Sequence, residues 1–340
     1  MINGLRRRNF RVKDLDVSGT LTGVGLNGPG KTWYVDASKT SGISGNGTTW
    51  DEAVITIAEG IALASRLDTI YIAAKDITDT TGDPSSYEEN LTIGATQDGL
   101  ALIGVSRGRT QGGLPQLKDG ATTTQHILRI RAPGCLIMNL GFNGAGNTGG
   151  GILLDDDYST KSAFGTSIIG CHFKNCKGTT ATNAATGGAI NWTSAGNAWQ
   201  VLISGCRFYK NVGDIVLPGT SNTVPQDVVI EDCIFSGPAA SVDCNIYLSG
   251  SGINGLHINN CQFQQLPAIG SGTNARYMIA PTGTVGMMSN CTFGCLTGTT
   301  GTTITFKVSG TGANIPVTFM LSRCYGTSGV ASESAEISVA

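Results

Sequence analysis

Hydrophobic residues between positions 137 and 325 do not follow a helical period; they come in pairs two residues apart, and the pairs recur. Seven copies of one phrase are legible: IMNLGF (137–142), IIGCHF (168–173), LISGCRF (202–208), VIEDCIF (229–235), HINNCQF (257–263), MMSNCTF (287–293) and, decayed, MLSRCYG (320–326). Aligned on Leu140, Cys171, Cys206, Cys233, Cys261, Cys291 and Cys324, they stand 27 to 35 residues apart. A constant phrase with drifting spacing belongs to a solenoid whose loops vary from rung to rung. The residue before that column is Asn139, Gly170, Gly205, Asp232, Asn260 or Asn290. These types enter a left-handed backbone conformation most cheaply, so the column predicts a tight bend. Before the bend lie pairs such as Val228 and Ile230 or Leu256 and Ile258; after it lie Cys233 and Phe235 or Cys261 and Phe263. Each pair places two side chains on one face of a short strand.

Most rungs then carry another strand with a small-residue exit: GGILLDD (150–156), GAINWTS (188–194), GDIVLPG (213–219), CNIYLSG (244–250), RYMIAPTG (276–283) and TITFKVSG (303–310). Several short strands in about thirty residues make one coil of a parallel β-helix, stacked about 4.8 Å from the next. The period also suits leucine-rich repeats, but their Leu-rich consensus is missing.

The N-terminal third is organised differently. Residues 1–31 form an arm in which Arg6, Arg7, Arg8, Arg11 and Lys13 precede DVSGTLTGVGLNGPG (16–30), where Val17, Leu21, Val24 and Leu26 are separated by small residues. Such a segment cannot build its own core and is expected to order against something else. Residues 32–74 read as a leading segment with a capping helix. Thr49 and Glu52 have capping-box spacing, and Trp50, Val54, Ile57, Ile61 and Ala64 carry helical periodicity to about Ala64, before the strand DTIYIAA (68–74). Laid across the open end of the solenoid, this helix would cover apolar side chains and block the sheet edge. Residues 75–326 are the β-helix and 327–340 a C-terminal tail.

Composition supports turn-dense all-β structure: 14% of residues are charged and 49 of 340 are glycine. A formal charge of -2 argues against a generally basic nucleic-acid binder. No run of about eighteen apolar residues is present, and the charged start has no apolar stretch behind it, so neither a membrane partner nor an export signal is expected. Of the ten cysteines, six share the column before the Phe, which predicts an inward ladder of reduced thiols. The pairs Cys171/Cys176 and Cys291/Cys295 only loosely match ligand spacing. His126, His172 and His257 complete no zinc pattern, so no metal or other cofactor is expected.

Tyr34-Val35-Asp36, the run Gly-Asn-Gly-Thr-Thr-Trp (45–50), the helix and Asp68-Thr69-Ile70-Tyr71-Ile72-Ala73 resemble the opening segment of right-handed β-helix proteins of the pectate-lyase-like superfamily. The later phrases, with an Asn-rich bend and an inward Phe, resemble its coils, over about residues 32–325. The resemblance implies a right-handed parallel β-helix; it does not select a chemistry, because the superfamily holds lyases, hydrolases, epimerases and non-catalytic surface proteins. The arm, KDLDVSGTLTG (13–23), is similar to short segments that begin bacteriophage tailspike, fibre and head-surface proteins.

Carboxylates are the candidate catalysts, because glycoside hydrolysis needs two of them about 5–9.5 Å apart and lyases of this superfamily use acidic calcium ligands with a basic proton acceptor. Asp155, Asp156 and Asp157 in LLDDDY, Glu231 and Asp232 at the bend, and Arg129 and Arg131 are the residues available. Consecutive aspartates at a strand exit also suit a solvated turn. The Asn-Thr-Asp, His-Gly and Arg-Ile-Lys signatures of polygalacturonase-like members are absent, Arg129-Ile130-Arg131 being a partial echo of the last. The reading that follows is a non-catalytic bacteriophage virion protein, a capsid decoration or short spike, assembled in the host cytoplasm and located on the particle. Such a protein would be a homotrimer that docks on other virion proteins through Arg6, Arg7, Arg8, Arg11, Val17 and Leu21, with Val24 and Leu26 packing alongside. The alternative is a carbohydrate-active or carbohydrate-binding tailspike acting on host surface glycan.

Overall fold

The computed structural model describes residues 29–39, 42–75, 85–106, 113–122, 124–144, 149–156, 161–177, 187–193, 197–218, 224–236, 245–249, 252–265, 276–280, 283–295, 307–310, 319–328 and 335–336. They form a right-handed parallel β-helix. Among them, two sheets of ten strands and one of eight run the length of the solenoid, and successive strands of the chain visit the three sheets in turn. Sheet 1 holds the strands before the Asn/Gly/Asp bend, such as Gln226–Glu231. Sheet 2 holds those after it, such as Ile234–Ser236. Sheet 3 holds the return strands, such as Ile246–Leu248. Every pairing between coils is parallel, and the antiparallel contact of Tyr325–Ser328 with Ala335–Glu336 ends sheet 2.

The predicted bend is present in all seven copies. Asn139, Gly170, Gly205, Asp232, Asn260, Asn290 and Arg323 have φ between 51 and 62°. The backbone N–H of each of the first six donates to a carbonyl of the next coil at 2.9–3.2 Å. The bend therefore both turns the chain and bonds the coils. Behind it the column cysteines are buried and free. The thiols of Cys171, Cys206, Cys233, Cys261 and Cys324 point at core carbonyls of the preceding coil, with S···O distances of 3.5–3.8 Å. Burial pushes the Cys176 thiol, one corner further on, up to about 12, so it stays protonated. The next inward column is aromatic: Phe142, Phe173, Phe208, Phe235, Phe263 and Phe293 stack with centroids 4.5–5.2 Å apart and planes within 9° of parallel. Each is buried.

A second left-handed column lies at the corner from sheet 3 to sheet 1, where the sequence reading had none. Leu67, Gly99, Gly134, Gly165, Gln200, Asp227 and Gly255 have φ between 52 and 75°. The amides of the first five reach carbonyls of the following coil.

The cap differs from expectation in its boundary. The helix spans Ile57–Leu63, and its capping box is formed by Thr56 and Glu59, not by Thr49 and Glu52. Residues 47–54 are instead drawn into the edge of sheet 1. Val54 N donates to Tyr34 O, Asp36 N donates to Val54 O, and Tyr34 N donates to Gly47 O. Three backbone bonds to an otherwise unpaired edge outweigh one isolated turn. Thr49 still accepts from the Glu52 amide, within a turn, and Trp50 lies against Tyr34. Ile57, Gly60 and Ile61 are buried against the solenoid end. The first coil fastens both helix termini: the Glu89 carboxylate accepts from Ile57 N and Ala58 N, and Gln97 Nε2 donates to Ile61 O and Ala64 O.

Phe235 touches a ring on each side, so truncation leaves a void between two coils. Phe235→Ala is expected to lower unfolding free energy by about 3–5 kcal/mol in urea titration; a loss under about 1 kcal/mol would place this ring outside a packed core.

Candidate functional site

The outer face of sheet 3 gathers three of the charged residues that the sequence nominated. Arg129 lies opposite Leu153 on the neighbouring strand, and Arg131 and Asp155 follow the ends of those strands. Both guanidinium Nε atoms meet the same oxygen, Asp155 Oδ2, at 3.1 and 2.8 Å. The Asp155 side chain is 1% exposed, and its Oδ1 has no hydrogen-bond partner among the described residues. Asp156 takes another direction: Asn197 Nδ2 donates to its Oδ2 at 2.6 Å, and Ser162 Oγ donates to Asn197 O. Consecutive aspartates thus serve two different contacts, one joining coils and one tying down a loop. Asp157 lies outside the described residues, as do Arg6, Arg7, Arg8, Arg11, Val17 and Leu21.

Glu231 and Asp232 are separated from this face, at the corner from sheet 1 to sheet 2. Ser204 Oγ donates to Glu231 Oε1, and Asn260 Nδ2 donates to Asp232 Oδ1. They belong to a polar ladder that continues with Asn290 Nδ2 and Ser289 Oγ, both donating to Asn259 Oδ1.

Two polar groups escaped the sequence reading. On the outer face of sheet 3, His126 Nε2 lies 3.0 Å from Asn191 Nδ2, which also donates to Gly188 O. An amide nitrogen can only donate, so the imidazole accepts through Nε2 and carries its proton on Nδ1. Burial, with Arg129 adding to it, pushes His126 down to about 4 and keeps it neutral near pH 7. Gly150, in the coil between them, makes room: a Cβ there would lie 3.0 Å from Asn191 Nδ2 and 3.1 Å from His126 Cδ2.

The other group is internal. Asp214 is 2% exposed, and its two oxygens accept from Asn211 Nδ2 at 2.9 Å and Asn245 Nδ2 at 2.6 Å. Asn211 also accepts from Cys176 N and donates to Phe173 O. Burial raises Asp214 to about 7 against these two bonds. A carboxyl of that character would suit a general acid on a surface; here it is sealed among coils. The available signal was the polar residue immediately before a sheet 3 strand, Asp214 and Asn245, where other rungs have Gly151 and Ala189.

Chemically, one nominated carboxylate is bracketed by two arginines and another is bound to an asparagine. Among the described residues no group of three or more His, Cys, Asp and Glu is placed to hold a metal ion. No family model and no curated protein matches the chain. A solved structure, Geobacillus virus E2 ORF18, is similar at 15% identity and a TM-score of 0.43, over 87% of this chain. The chain spans 61% of that structure's length.

Asp214 generates a pH prediction. Its folded value lies above the unfolded value, so folding favours the neutral acid; that stability is fully present below about pH 4 and is lost as pH rises to about 7. Comparing denaturation of the wild type and Asp214→Asn from pH 4 to 8 should show a wild-type decline larger by on the order of 4 kcal/mol. Parallel profiles would mean that Asp214 ionises freely.

Proposed function

We propose that the chain is a non-catalytic structural protein of a bacteriophage particle, a β-helical surface protein of the decoration or short-spike kind. The observation that carries this reading is the use made of the nominated carboxylates. Asp155, Asp156, Glu231 and Asp232 each hold coils or loops together through named intramolecular partners. The pectate-lyase-like coils supply a rigid body, and the arm, similar to segments that open phage surface proteins, supplies attachment. Arg6, Arg7, Arg8 and Arg11 would pair with acidic groups of a neighbouring virion protein, with Val17 and Leu21 packing beside them. The homotrimer that we propose would use the outer face of sheet 1 for self-association, where Leu136, Met138, Ile169, Leu202 and Met287 are partly exposed and Met320 is 61% exposed.

One observation favours a second reading, binding or cleavage of host glycan. Arg129, on the outer face of sheet 3 beside Asp155, keeps 38% of its side chain exposed, and a charged side chain on an open face can orient a hydroxyl-rich or acidic ligand. Incubation with host-surface and acidic polysaccharides distinguishes the readings: new chain ends require catalysis, retention of the polysaccharide without new ends means binding, and the absence of both leaves the structural reading.

Deleting residues 1–30 is expected to leave a folded solenoid, seen by circular dichroism, that no longer incorporates into particles. Attachment through the arginines should also weaken with salt. A truncated protein that still occupies particles at normal copy number would remove the arm as the anchor.

A further inference from the structure

The outer face of sheet 2 is basic at its middle. Its strands from Gly141–Asn143 to Thr292–Cys295 contain neither Asp nor Glu. On two neighbouring coils His172 stands opposite Arg207, and Lys174 opposite Tyr209. Lys210 follows Tyr209 in a left-handed conformation, φ 53°, and its Nζ lies 5.1 Å from the centre of the Tyr209 ring. Asn175 has the same φ one coil earlier, and Lys177 lies two residues beyond it, at the corner toward sheet 3. Arg207 and Lys210 are exposed, and Tyr209 and Lys177 are partly exposed. The ion pairs among the described residues take up Lys118, Arg129, Arg131 and Lys161; Arg207, Lys210 and Lys177 enter none of them.

This face is also straight. On the inner side of the same strands, the Phe rings from Phe173 to Phe293 stack within 8° of parallel. Rings that stay parallel require strands that twist little from coil to coil, so the outward residues line up along the axis about 4.8 Å apart. One line runs from Tyr209 to Ser236 and Gln264, and the other from Arg207 to Ile234, Gln262 and Thr292. Gln262, Gln264 and Thr292 are exposed. A pocket surrounds one small molecule, whereas a line of cations, a phenol ring, amides and hydroxyls meets an extended chain unit by unit.

We infer that this face binds a linear acidic polysaccharide laid along the solenoid axis. Its anionic groups lie against Arg207, Lys210 and Lys177, a sugar ring packs its C–H face on Tyr209, and its hydroxyls reach Ser236 and Gln264. Charge complementarity selects an acidic partner, and an array that repeats with the coils selects a partner that repeats too. Arg207 can meet a carboxylate or sulfate through two N–H groups at once, and Lys210 acts as a point charge beside the ring. The inference rests on the glycan-binding reading, to which it gives a ligand class and a place on a different sheet from Arg129 and Asp155. It requires no catalysis.

Affinity electrophoresis of the full chain in gels containing polygalacturonate, dextran sulfate or dextran tests the assignment and separates carboxylate from sulfate as the anion. At least one acidic polymer should retard the protein, dextran should not, and the retardation should weaken with salt. Arg207→Glu and Lys210→Glu should each weaken binding at least about fivefold, whereas Arg66→Glu, the same charge change at an exposed position past the cap helix, should stay within about twofold. Tyr209→Ala should weaken it as well, a loss that net charge does not explain, and circular dichroism checks that each variant is folded. Equal retardation of all variants, or of the wild type by dextran, would overturn this site while leaving the glycan reading in place. A wild type retarded by no acidic or host-surface polysaccharide would overturn both. Self-association that Arg207→Glu abolishes, with no polysaccharide bound, would assign the cations to a second copy and overturn the inference.

Discussion

A parallel solenoid must return to the same place on every coil, about 4.8 Å further along its axis, and each corner has to satisfy that repeat. The left-handed residue at the sheet 1 to sheet 2 corner meets the requirement twice. It reverses the chain in one residue, and it sends its own N–H to the next coil. Because the corner is fixed, the residue after it, cysteine in six of the seven copies, points inward, and from Phe173 to Phe293 each phenylalanine two positions later lands on the ring of the coil before. The thiol ladder and the aromatic stack are consequences of a backbone constraint.

Polar groups follow the same logic. Asn260 beneath Asp232, Asn245 beside Asp214, and Asp155 between two arginines all join residues from adjacent coils. A narrow solenoid has little interior volume, so a buried carboxylate meets a partner mainly by borrowing one from the coil above or below. Stacking of this kind commits Asp155, Asp214 and Asp232 to contacts between coils.

The first bend column and its aromatic neighbour were legible because Asn, Gly and Asp are chemically alike at a left-handed position and because Phe is rarely placed at a fixed offset by accident. The second bend was not. Leu67, Gln200 and Asp227 stand among glycines there, and the loops before that corner vary in length, so no phrase forms around them. The cap illustrates a different failure. Thr49/Glu52 and Thr56/Glu59 offer the same local spacing seven residues apart, and only the unpaired edge of Thr32–Val35 decides between them. Of the candidate site, Arg129, Arg131 and Asp155 were found as residues, but their mutual pairing was not. It depends on a register between coils 24 to 26 residues apart. His126, Asn191 and Asp214 lacked any motif at all.

The most direct measurement is the stability of Asp232→Gly against Asp232→Val. Both remove the bond from Asn260 Nδ2, so that loss cancels, and what remains is tolerance of a φ near 54°. Valine should be less stable than glycine by about 1–2 kcal/mol in equilibrium unfolding, the cost of a β-branched residue in the left-handed region. Equal stability of the two variants, or a more stable valine, would mean that no left-handed bend sets the register of the coils.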